Sequence, residues 1–180
     1  GANVIGYDKP PTGKFPIFYL QDDAWTGVAN DHIKVWEVDV NWANTASSTI
    51  SQTQTLAAAE GVTAFDSLFD GGSFSNLPQP GGGGDIDALQ ATMMYMTNYR
   101  MFGTHNSIVM NFVVDLDGND NLAGIRWYEL RQTSHGQPWA VYQEGTYGPA
   151  DGLSRFSGSI SIDGSGNIGL GFTTVSSTSN

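Results

Sequence analysis

From Tyr99 to Phe172 the chain runs through the apolar stretches YRMFGTHNSIVMNFVVD, AGIRWYELRQT, PWAVYQEGTY and RFSGSISIDGSGNIGLGF, each cut short by Gly, Asn, Asp or Pro. β-Branched and aromatic residues fill the stretches, and the breaks carry the chemistry of tight turns. Helical spacing is almost absent. Such a pattern forms strands of roughly five to nine residues joined by short turns, as in sandwiches, barrels and propellers.

Composition narrows the class and the partners. With 180 residues the chain has room for one domain with a core. Its 18 acidic residues against 7 basic ones give a net charge of -11, so it repels nucleic-acid phosphates and anionic lipid heads. The 23 glycines and the abundance of Ser, Thr and Asn suit turn-rich β structure. Cysteine is absent, which excludes disulfides, thiolate metal sites and a cysteine nucleophile. No apolar run reaches the ~18 residues that span a bilayer, so no membrane insertion is expected. Low Lys with much Ser, Thr, Asn and Gly points to a secreted bacterial protein. Gly1 stands without a signal peptide or initiator Met, and a processed or excised piece of a longer precursor is expected.

Along the chain, residues 1–14 read as an extended lead-in around Pro10-Pro11. Phe15 to Leu20, His32 to Val40 and Thr49 to Leu56 read as strands, the last polar enough to face water. Leu56 to Glu60 supports one helical turn that Gly61 stops. Phe65, Leu68 and Phe69 are expected to plug a loop, and Gly71 to Asp85, with four consecutive glycines, to form a long connection inside one domain. Asp87 to Met101 is ambiguous between helix and strand, with strand favoured for its second half. Beyond it, Ser107–Asp115, Gly124–Arg131, Pro138–Tyr147, Arg155–Asp163 and Ile168–Val175 are strands.

Two echoes suggest a repeat. Ile33-Lys34-Val35-Trp36-Glu37-Val38 parallels Ile125-Arg126-Trp127-Tyr128-Glu129-Leu130, and Arg100-Met101-Phe102-Gly103-Thr104 parallels Arg155-Phe156-Ser157-Gly158-Ser159. Repeated four-strand units are the signature of propeller blades. The runs YRMFGTHNSIV, GIRWYELR, VYQEGTY and GSISIDGSGNIGLGF resemble a family of large secreted bacterial proteins with a β-propeller of sialidase-like shape, closely over residues 79–175 and more loosely over 15–56. The resemblance implies an all-β partial β-propeller of roughly two and a half to three four-stranded blades, too few to close a ring. Residues 1–60 would hold the first blade region, 61–98 a Gly-rich loop and strand entry, 99–150 the second blade and 151–180 the start of a third. Other segments of the same precursor, or further copies of the chain, would complete it. Ser161-Ile162-Asp163-Gly164-Ser165-Gly166 looks like a degenerate form of the hairpin box of sialidase-type propellers, a structural turn.

The metal-ligating candidates are Asp115, Asp117, Asn119 and Asp120, which space oxygen donors as Ca2+ loops do. The distal bidentate Glu is missing, and a plain β-turn accounts for the same residues. Asp22-Asp23 is a further donor pair. No catalytic motif stands out. If hydrolysis occurs, Arg126 and Arg131 would grip a carboxylate and Glu129 and Glu144 would act as acid and base, provided the carboxyls lie ~5–9 Å apart. The Phe-Arg-Ile-Pro run diagnostic of sialidases is absent, and salt bridges between strands account for the same residues. Trp25, Trp42 and Trp139, in or near loops, are candidate sugar platforms, whereas Trp36 and Trp127 read as core. His105 is a candidate ligand contact or titrating group. His32 and His135 show no metal-ligand spacing with it, which argues against zinc.

These features lead to a secreted or cell-surface propeller segment serving binding, adhesion or assembly, with carbohydrate as a ligand class and Ca2+ as the cofactor to test. A sialidase-like glycoside hydrolase with active residues partly on missing blades is the alternative. A lectin-like β-sandwich is the second alternative.

Overall fold

The computed structural model describes residues 1–6, 13–119 and 121–178. Its strands are β1 (Ala2–Val4), β2 (Phe15–Gln21), β3 (His32–Asp39), β4 (Thr49–Leu56), β5 (Thr97–Met101), β6 (Asn106–Asp115), β7 (Ala123–Gln132), β8 (Ala140–Tyr147), β9 (Ser154–Ile162) and β10 (Ile168–Val175). They form a five-stranded sheet in the order β1-β5-β6-β7-β8, a three-stranded sheet β2-β3-β4, and the hairpin β9-β10. Every pairing is antiparallel except that of β1 with β5. The fold is all-β. No helix among the described residues is long and apolar enough to cross a membrane.

Strand β6 explains how the sheets stack. Nine of its ten residues are buried, which a strand reaches only when both faces are covered. Successive side chains point to opposite faces. On one face Ile108, Met110, Phe112 and Val114 pack with Phe18, Leu20, Ile33, Val35 and Leu56 of the three-stranded sheet. On the other, Val109 meets Ile160 and Ile162, and Val113 meets Phe156 and Val175. The central sheet is thus sandwiched between β2-β3-β4 and the β9-β10 hairpin. Each buried aliphatic or aromatic side chain contributes about 1.5–3 kcal/mol. The hairpin approaches closely at Gly158, where a Cβ would run into the side-chain amide oxygen of Asn111.

The connection from β4 to β5 is a packed loop. After the turn Ala58–Glu60, Gly61 takes φ 90°, a left-handed conformation costly for other residues. Phe65 packs edge-on against Phe112, with centroids 4.9 Å apart, and Phe69 is fully buried beside Leu77, Ala88 and Met94. Leu77 and Ile86 bridge across the glycine-rich stretch. Backbone bonds from Asp115 N to Asp66 O and from Met94 N to Asn111 O dock both ends of the loop on β6.

Two expectations need correction and a third holds. The lead-in contains a paired strand, β1, because Ala2, Asn3 and Val4 bond alongside Thr97, Asn98 and Tyr99; Pro10-Pro11 lies outside the described residues. The stretch from Asp87 to Met101 is strand in its second half, as favoured, from Thr97 on. Trp36 is half-buried rather than core, since its side chain points away from the face that carries Ile33 and Val35, whereas Trp127, also half-buried, packs against the Val109, Ile160 and Ile162 cluster under the hairpin.

Candidate binding sites

The register of β7 and β8 decides what the arginines and glutamates can do. Tyr128 lies opposite Glu144, and Glu129 opposite Gln143, so Glu129 and Glu144 project from opposite faces of the sheet. They do not form a facing acid–base pair. Each belongs to a separate network. Arg126, buried, contacts Glu144 at 2.5 Å and donates to Tyr128 Oη at 3.1 Å and Thr146 Oγ1 at 3.0 Å. Thr63 N donates to Glu144 at 3.1 Å, which ties the loop after Gly61 to this face. On the far face Glu129, fully buried, accepts from Ser107 Oγ at 2.8 Å, Arg131 Nε at 2.6 Å and Gln143 Nε2 at 2.7 Å. Burial pushes its pKa up, but these donors outweigh it and hold the carboxyl below its ordinary value. Arg131 also lies over the Tyr142 ring, 3.3 Å from its centroid.

His105 sits in the turn between β5 and β6, stacked on Phe102 at 4.9 Å, with Nδ1 3.0 Å from Thr104 Oγ1. Burial, then the neighbouring Arg131 charge, pushes its pKa down, with Glu129 opposing. Its enclosed Nε2 has no hydrogen-bond partner among the described residues. The three candidate tryptophans part company. Trp42 is 86% exposed, Trp25 is half-buried against the Tyr19 ring, and Trp139 is 4% exposed, edge-on to Phe18 and Tyr99.

In the Asp115 loop, Asp117 Oδ1 accepts from Asn119 N at 3.0 Å, and Asp115 Oδ1 accepts from Asp117 N at 3.3 Å. These are turn bonds, and the Asn119 backbone N–H leads the effects that lower the Asp117 pKa. Asp120 lies outside the described residues. Asp115 itself lines a shallow cavity with Asp23, Asp31 and Asp66. Beside it, carboxylate oxygens of Asp22, Asp23 and Asp31 lie within 4.8 Å of one another. The β2–β3 register brings them together: Gln21 pairs with His32, so Asp22 and Asp31 leave the ladder side by side. Asp22 accepts from Ala24 N at 2.8 Å, Ser67 N at 2.6 Å and Ser67 Oγ at 2.8 Å; Asp31 accepts from Asp23 N at 2.8 Å and Phe65 N at 2.7 Å. Burial drives the Asp31 pKa up, and the Asp23 and Asp22 charges add to the rise, against the two backbone donors. Sequence reading found Asp22-Asp23 but missed Asp31, whose only signal is its mirror position across the hairpin.

A different cavity, of about 410 Å³, opens between the start of β2 and the turn joining β7 to β8. Val4, Phe15, Pro16 and Trp139 give it apolar walls, and Tyr99, Gln132 and His135 line it too. Lys14 and Glu37, also in the lining, form an ion pair at 3.1 Å. Tyr99 Oη, Gln132 Oε1 and His135 Nδ1 are enclosed and have no hydrogen-bond partner among the described residues. Burial raises the Tyr99 pKa, so its phenol stays protonated. Of these residues only Trp139 is a candidate on sequence grounds.

The turn between β9 and β10 is built on Asp163, which accepts from Ser165 N at 2.8 Å, Asn167 N at 2.9 Å and Asn167 Nδ2 at 2.9 Å. Its job is to close the hairpin. No protein-family model, curated protein or solved structure matches this chain.

Proposed function

We propose that the chain is a run of successive blades, roughly two and a half to three, from a secreted or cell-surface β-propeller of sialidase-like shape. It serves binding, adhesion or assembly, with carbohydrate as its ligand class. Other segments of its precursor, or further copies, complete the ring. One observation carries this reading: the meander β2-β3-β4, the meander β5-β6-β7-β8 (with β1 added parallel at its β5 edge) and the hairpin β9-β10 stack face to face in that order. Radially stacked blades require that order. We add a Ca2+ ion at the Asp22, Asp23 and Asp31 carboxylates, whose convergence supports it better than the turn-bonded Asp115 loop does.

The sialidase-type hydrolase has weaker support. It needs arginines converging on one carboxylate, whereas Arg126 and Arg131 point to opposite faces of β7 and Arg155 is bonded through two nitrogens to Asp151. A lectin-like sandwich of two sheets also has less support, because the central sheet is covered on both faces.

Light scattering on the chain alone and on its natural precursor tests the proposal. The chain alone is expected to self-associate or to melt well below the same segment within the precursor. A chain that is monomeric at all concentrations, with an unchanged melting temperature in both settings, would overturn it.

A further inference from the structure

We propose that the cavity between β2 and the β7–β8 turn binds a neutral sugar ring of monosaccharide size. The inference deepens the binding-module reading and rests on it for the ligand class, but the site is argued from its own chemistry. Tyr99 and Gln132 are 2% and 5% exposed, and among the described residues neither Tyr99 Oη nor Gln132 Oε1 has a partner. An unpaired buried polar atom costs roughly 1–3 kcal/mol, and here three such atoms sit on residues lining one cavity. They share a face of the central sheet: Tyr99 pairs with Ile108, Ile108 with Leu130, and Gln132 follows two residues on.

The identities of these atoms select the ligand. Gln132 Oε1 only accepts, the Tyr99 hydroxyl donates or accepts, and His135 Nδ1 does one or the other according to its tautomer. A hydroxyl is the group that satisfies all three, because it both donates and accepts. Phe15, Pro16 and Trp139 offer apolar surface for the C–H face of a pyranose. Among the described residues charge disfavours acidic sugars: Lys14 is neutralised by Glu37, and no arginine lines the cavity. The volume of about 410 Å³ matches a small-ligand site rather than a polymer groove.

The test is ¹H–¹⁵N chemical-shift titration of the full chain with methyl α-glucoside, methyl β-galactoside and N-acetylglucosamine, repeated on Tyr99→Phe, Gln132→Leu and Trp42→Ala. At least one sugar is expected to shift the Tyr99, Gln132 and His135 resonances. Tyr99→Phe should weaken it about five- to tenfold, the loss of one hydrogen bond, with no fall in melting temperature because the hydroxyl has no partner to lose. Trp42→Ala should change nothing. No shift with any sugar overturns the proposal, as does preferential binding of indole, which would make the site aromatic-selective. Sugar binding that survives Tyr99→Phe and Gln132→Leu but is lost in Trp42→Ala overturns the cavity while leaving the binding module standing. Failure of the module itself is read separately, from the mass of the assembly.

Discussion

Glu129 is the residue whose charge the fold has invested in most heavily. A carboxylate without exposed surface is tolerated because Ser107, Arg131 and Gln143 all donate to it. Its folded pKa lies below the ordinary 4.5, so its stabilising effect is complete above that value and is lost as pH falls through the folded one. Urea unfolding across the acid range should therefore show a stability loss that begins near pH 4.5 and continues below it. Glu129→Gln should lower stability at pH 7 by about 1–3 kcal/mol and flatten that acid limb. An acid limb of unchanged slope in the variant would show that the network carries no linked proton. The same residue illustrates what residue-by-residue reading misses. Glu129 and Glu144 are paired by type in the sequence, but an odd separation along antiparallel strands puts their side chains on opposite faces.

At the scale of elements, the β2–β3 hairpin holds the feature most open to test. Asp22 and Asp31 are drawn together at its end with Asp23, and Asp31 is held protonation-prone by burial and by its acidic neighbours. A divalent cation would relieve that repulsion. Saturating Ca2+, at about a hundred times the dissociation constant, is expected to add about 2.7 kcal/mol, or about 5 °C or more in melting temperature. Chelator should reverse the gain, and Asp23→Asn should abolish it. A melting curve indifferent to Ca2+ would leave the cluster as a hydrogen-bond hub for Ser67 and Phe65. Elements differed in how legible they were. Strands β6, β7, β9 and β10 lie within a residue or two of their sequence boundaries, since alternation and Gly or Asp turns are local signals. The pairing of β1 with β5 and the course of residues 61–96 depend on partners far along the chain, such as Asp115 for Asp66 and Asn111 for Met94. The cavity shares that origin. Tyr99 and Gln132 look unremarkable in sequence and become neighbours only through the β5–β6–β7 register.

For the whole molecule, the decisive surface is the outer face of the β9-β10 hairpin. Ile160 and Ile162 point into the central sheet, so Ser157 and Ser159 point out, while Ser161 donates its hydroxyl to Asn98 of β5, and the register sets Ser159 opposite Gly171 and Ser161 opposite Gly169. Such a face lacks the bulk to form a core by itself, yet its smallness lets another sheet approach closely. If the next blade stacks there, a large side chain at its centre should block assembly without disturbing the chain beneath. Ser159→Trp is expected to leave the melting temperature of the isolated chain within about 1 °C, as surface substitutions do. In the precursor, or among copies, it should abolish the association seen by light scattering. A matching substitution on the exposed strand β4, Gln52→Trp, probes the opposite end of the stack, where Gln52 lies across from Trp36 on the outer face. Loss of assembly from both sites would mean that the chain is an interior run of a stacked ring. Loss from Ser159→Trp alone would make the three-stranded sheet a terminus. If neither substitution alters the mass, the hairpin face is simply surface, and the three layers are the complete stack.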